Sequence, residues 1–157
     1  MISNQLIEIV FENIQLKKIS ALISELTENG SLISDYYASC ECDNINWNEE
    51  ISIEEFFNSH SNFGLFINLS EIKKGSFVIP NSSITVYKNE GTIDLEINFE
   101  LKDLNNFSKK TLKKKLMAFS KELAADYHIS NYYCGLEPAK DFETRLFTKD
   151  QAGPLSL

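Results

Sequence analysis

Carboxylates are the most plentiful reactive groups in the chain, and any catalytic reading would rest on their spacing. Asp94 and Glu96 lie two residues apart on one face of a predicted strand, and Glu49-Glu50 is followed closely by Glu54-Glu55. Glycosidases and metal-dependent nucleases use such pairs, so a small carboxylate- or metal-dependent enzyme is one reading. Acids along an exposed strand or helix are more often a solvated face, and no EF-hand type of loop is present. Cys40-Glu41-Cys42 is a C-x-C, and strand alternation turns both sulfurs to one face, expected to be buried, where they act as small hydrophobes. Cys134 is the only other sulfur, too few for a zinc site, and no basic group adjoins to activate a thiol. His60 and His128 each follow a predicted helix, where the C-terminal dipole accommodates an imidazole without further purpose. No P-loop or dinucleotide glycine pattern occurs, and six glycines leave little material for cradling phosphate. No cofactor or metal is expected.

Binding chemistry is better supported than catalysis. Net charge is -8, and residues 1–70 hold eleven acids and two bases while residues 71–157 hold twelve acids and thirteen bases. Between Lys18 and Lys73 there is no Lys or Arg at all. Such an asymmetric field repels nucleic acid and anionic lipid and draws in a basic partner. Trp47, the only tryptophan, sits among acids and asparagines. It is either a hot spot within a polar rim or an anchor half-buried beneath the strands. Arg145, the only arginine, lies near Glu137, Asp141 and Glu143, which makes an internal bidentate pair the default expectation. Lys109, Lys110, Lys113, Lys114, Lys115 and Lys121 crowd the start of a predicted helix, where the dipole disfavours cations. An RNA-associated regulator using that helix is a second alternative, although no aromatic residues interleave the lysines for base stacking.

The elements that must position these groups read as α+β. Residues 6–12 alternate as a strand, with Ile7, Ile9 and Phe11 to one side. Asn13 is a candidate cap for a helix carrying Leu16, Ile19, Ile23 and Leu26 at helical spacing, and Asn29-Gly30 is its stop. Residues 32–43 alternate as a second strand. Residues 44–51 read as loop, and Ser52 to Glu55 has the capping-box pattern of a short helix through Ser59. Strands follow at 63–69, 76–79, 84–88 and 92–101, the last two flanking a tight turn at Asn89-Glu90-Gly91. Ser108 opens a long helix through Tyr127 with Leu112, Leu116, Phe119 and Leu123 as its core stripe. Strands at 129–134 and 142–148 close the chain. One domain over 1–157 is expected, a mainly antiparallel sheet with two long helices on one face and one short helix, related to the split βαβ arrangement.

The closing stretch, Tyr132-Tyr133-Cys134-Gly135-Leu136-Glu137-Pro138 through Thr144-Arg145-Leu146-Phe147-Thr148 and Gly153-Pro154-Leu155, resembles the immunity proteins of bacterial contact-dependent growth inhibition and polymorphic-toxin systems, as do the size, the lysine-over-arginine usage and the acidic balance. That resemblance implies no enzyme activity. It implies a toxin inhibitor that binds its cognate toxin domain, often a nuclease with a basic groove. The N-terminus without a basic region and the lack of a long apolar run point to the cytoplasm, and the acidic field to no direct contact with nucleic acid or membrane. The family carries no fixed functional residues, so charge alone places the partner-binding set: Glu41, Asp43, Trp47, Glu49, Glu50, Glu54, Glu55, Asp94 and Glu96.

Overall fold

Alternation in the sequence becomes alternation in burial. In β1 (Leu6–Glu12) the side chains of Ile7, Ile9 and Phe11 are fully buried, and in β7 (Thr92–Glu100) Ile93, Leu95, Ile97 and Phe99 are at most 1% exposed. A computed structural model describes residues 5–42, 44–149 and 151–155; the predicted site residue Asp43 lies outside them. Ten strands and three α-helices are assigned among those residues. β2 (Ile33–Ala38), β3 (Asn62–Leu69), β6 (Ser83–Asn89), β8 (Asn131–Leu136), β9 (Arg145–Thr148) and β10 (Gln151–Ala152) join β1 and β7 in one eight-stranded sheet, in the order β10-β9-β8-β1-β7-β6-β3-β2. β4 (Glu71–Lys74) and β5 (Phe77–Pro80) form a separate two-stranded ribbon.

Every pairing in the large sheet is antiparallel. β1 bonds to β7 on one side and β8 on the other, so β7 and β8 run the same way. The long helix α3 (Lys109–Asp126) connects them across β1. That is the expected split βαβ unit, extended by β6, β3 and β2 on one side and by β9 and β10 on the other.

The helices cover one face. α1 (Leu16–Thr27) buries Ile19, Leu22, Ile23 and Leu26, and α3 buries Leu112, Leu116, Phe119 and Leu123, all within one apolar cluster with the inward strand residues. α2 (Glu50–Ser59) adds Ile53, Phe56 and Phe57, whose rings meet Phe63 of β3. Lys74 on β4 ties the long helices together, bonding Glu25 of α1 at 3.0 Å and Asp126 of α3 at 2.9 Å. Tyr127 donates its hydroxyl to Glu25 at 3.0 Å. No helix among the described residues is long and apolar enough to cross a membrane.

Several local expectations are revised. Asn13 does not cap α1: it takes a positive φ of 55°, its N–H donates to Asp94 Oδ1 at 2.9 Å, and the helix starts after Gln15. The chain needs that extra turn because Ile14 is buried and hydrogen-bonded to the Ile93 carbonyl. Leu16 is consequently exposed rather than part of the core stripe. β2 ends at Ala38, not residue 43, since Ser39 caps the edge with Gly64, accepting its N–H on Oγ at 2.8 Å. Cys40 is half-buried and Cys42 exposed, so the two sulfurs do not share a buried face. α2 begins two residues before Ser52, whose hydroxyl instead accepts the N–H of Asn46.

Candidate functional site

The predicted binding residues fall on two surfaces. On the helix side, the loop after β2 folds over the sheet edge and leads into α2. Tyr36 holds it by accepting the Ile45 N–H on its hydroxyl at 3.2 Å, and the His60 ring sits between the carbonyls of Phe56 (2.9 Å) and Glu41 (3.3 Å). Glu41, Glu49, Glu50, Glu54 and Glu55 all stand exposed along this ridge, beside a hollow of about 610 Å³ lined by Glu41, Cys42, Asn44, Ser52 and Glu55. Trp47 is half-buried beneath them. Its ring meets Tyr36 edge-on at 5.0 Å, and it fills the space left by Gly30, whose left-handed backbone (φ 85°) and missing side chain allow the close approach. Its indole Nε1 is buried without an acceptor among the described residues.

Asp94 and Glu96 lie elsewhere, on the face of the sheet opposite the three α-helices. β2 is the third strand from β7, roughly 14 Å away at the usual strand spacing. The acidic ridge is on the other side of the sheet. Glu96 pairs in register with Val10 of β1 and Thr85 of β6, and Asp94 with Tyr87. Glu96 is pushed up to about 7 by desolvation and then by repulsion from Glu8, Asp94 and Glu137. Desolvation also raises Glu8, against the pull of the Ala139 N–H that reaches its carboxylate at 3.3 Å. These are carboxylates crowded together in partial burial.

Aromatic side chains, which charge counting does not find, continue this face. Tyr37 of β2 stacks on Phe66 of β3 at 6.1 Å, and Phe66 meets Tyr87 of β6 edge-on at 6.2 Å. They are 65%, 38% and 47% exposed. Gly64 makes room for the Phe66 ring, since a Cβ there would come within 3.2 Å of it. The signal was available in the alternation: Phe66 falls between Leu65 and Ile67, out of phase with the buried set. Toward β8 the face changes character. Arg145 lies 4.9 Å over the Tyr133 ring and donates to the carbonyls of Ala139 and Lys140, so the expected internal carboxylate pair gives way to carbonyls and a π-face. Tyr133 itself is pushed up to about 12 by desolvation and the nearby Glu12 and Glu96.

The remaining candidates are structural or dispersed. Burial pushes the Cys134 thiol well up, and desolvation raises Cys40, which keeps both protonated and poorly nucleophilic. Lys88, buried on the helix side, donates to the carbonyls of Phe57 and His60 and so satisfies the end of α2. Lys115 of the lysine helix lies 5.5 Å over the Phe107 ring.

A helix-backed antiparallel sheet with an acidic ridge on one side and an acidic, aromatic open face on the other is the equipment of a protein that works by binding another protein. Residues 5–152 match the family described as the PABL017 Cdi1I immunity protein, and the chain belongs to that family. The expected kinship with immunity proteins of contact-dependent growth inhibition is thereby established. The fold also matches a chain in the 1.75 Å crystal structure of the toxic C-terminal tip of CdiA from Pseudomonas aeruginosa in complex with immune protein, with a TM-score of 0.80 and 27% identity over 96% of this chain and 98% of that one. No curated protein matches the sequence.

Proposed function

We propose that this protein protects the cell that makes it by binding the toxic C-terminal domain of a cognate CdiA protein in the cytoplasm, covering the toxin's active site with an acidic surface and catalysing nothing itself. Its membership of the immunity family carries the reading. The charge distribution supports the finer part. The stretch without Lys or Arg from Lys18 to Lys73 sets five exposed glutamates along one ridge, an arrangement that mimics the phosphate charge a nuclease groove is built to hold. The toxin domain on this reading is a nuclease with a basic groove. Co-expression with the toxic C-terminal domain of the cognate CdiA protein tests it: cells should survive only when this protein is present. Replacing Glu49, Glu50, Glu54 and Glu55 together by Gln should weaken that protection. Full protection by the quadruple variant would remove the ridge from the site, and death of cells carrying the wild type would remove the function.

A further inference from the structure

We propose that the toxin domain is gripped by the open sheet face between β2 and β1, which takes an arginine-bearing basic segment whose guanidinium groups lie over the Tyr37, Phe66 and Tyr87 stripe and reach Glu96. This rests on the toxin-binding reading above and names which surface supplies the affinity and to what chemistry.

The α-helices occupy the opposite side of the sheet, and at its β8 end the open face is covered by its own chain, where Ala139 is buried and bonded to Glu8. From β2 to β1 the outward strand positions carry Asp35, Asp94, Glu96, Glu100, Glu8 and Glu12 and no Lys or Arg; Glu100, at the end of β7, forms an ion pair with Lys102 at 2.9 Å. Three exposed aromatic rings touching in a row form the kind of surface patch that marks an interface, and aromatic side chains are over-represented among residues that dominate binding. Glu96 sets the charge of the occupant. It is half-buried, its electrostatic neighbours Glu8, Asp94 and Glu137 are all anionic, and no donor among the described residues bonds to it. A carboxylate so placed is held at a cost until a cation arrives. Guanidinium suits the site better than ammonium, because it stacks flat on aromatic faces and forks onto carboxylates. The same face already holds one such contact, Arg145 over Tyr133.

Calorimetric titration of the full chain with the C-terminal toxin domain of the cognate CdiA protein tests the proposal. Tyr37→Ala with Tyr87→Ala should weaken binding by at least about 30-fold, chiefly through faster dissociation, while Tyr37→Phe with Tyr87→Phe retains it. Glu96→Gln should weaken it by about tenfold. Circular dichroism melts establish that each variant is folded. Wild-type affinity in the folded Ala pair would overturn the proposal and leave the toxin-binding reading standing. Absence of binding by the wild type would overturn both. If the Ala pair instead abolishes a wild-type dimer seen in sedimentation and leaves toxin affinity intact, the face belongs to a second copy and the proposal fails.

Discussion

Glu49, Glu50, Glu54 and Glu55 stand in water along the acidic ridge, whereas Glu96, Glu8 and Asp94 crowd together half-buried on the open face of the sheet. Exposed charges act at a distance and lose their effect as salt shortens the screening length. They speed encounter more than they hold a complex. A half-buried carboxylate among like charges has little reach but a large change in free energy when a cation joins it. On the proposed reading the ridge attracts and the open face retains, so the two surfaces should respond to different perturbations.

Four changes would break or sharpen that division. Gly30→Val should do the most damage, because a side chain there meets both Trp47 and a left-handed backbone. We expect a loss of about 3 kcal/mol, or about 6–12 °C in Tm, read by melting and by the emission of the single tryptophan. Lys88→Met should cost about 2 kcal/mol by leaving the Phe57 and His60 carbonyls unpaired at the end of α2. Its effect should be confined to the ridge, shown by faster amide exchange in α2 but not in β7. The quadruple Glu→Gln variant of the ridge should leave stability within about 0.5 kcal/mol. Its association with the toxin domain at low salt should slow about tenfold, and the difference should fade in stopped-flow runs at high salt. A change in dissociation instead would undo the comparison.

Glu96→Gln has the most diagnostic effect on the free protein, because it depends on pH. The folded carboxyl titrates near 7, above its ordinary value of 4.5, so the folded chain holds a proton that the unfolded chain releases. Stability therefore falls as pH rises from about 4.5 through 7. Removing the charge should flatten that fall and stabilise the protein by about 1 kcal/mol at pH 8, after allowing for solvent screening. Denaturant titrations at pH 5 and pH 8 compare the two proteins directly.

Local periodicity made much of the fold readable. The strict alternation of β1 and β7, the stripe of α3 with its Ser108 cap, and the turn at Glu90-Gly91 needed no distant information. Where a local signal failed, a competing contact had outbid it. Asn13 gives up capping because Asp94, far along the chain, takes its N–H, and Ser52 is claimed from the preceding loop by Asn46. The candidate site was less legible for the same reason. Nothing near Glu49 or Glu96 in sequence reveals that β6 and β3 intervene between β7 and the sheet edge, or that the acids lie on opposite sides. The resemblance to immunity proteins was readable because it drew on the whole chain rather than on any one contact.

The central place of β1 bears on how the antidote is made. Ile7 pairs with Phe99 on one side and Leu136 on the other, so β1 waits for partners that are synthesised much later in the chain. Loop closure over such distances slows folding and leaves the early strands unpaired in the meantime. A growing chain holds no finished sheet face until β8 has emerged to pair with β1. The supply of active antidote is then set by folding after synthesis as well as by the rate of translation.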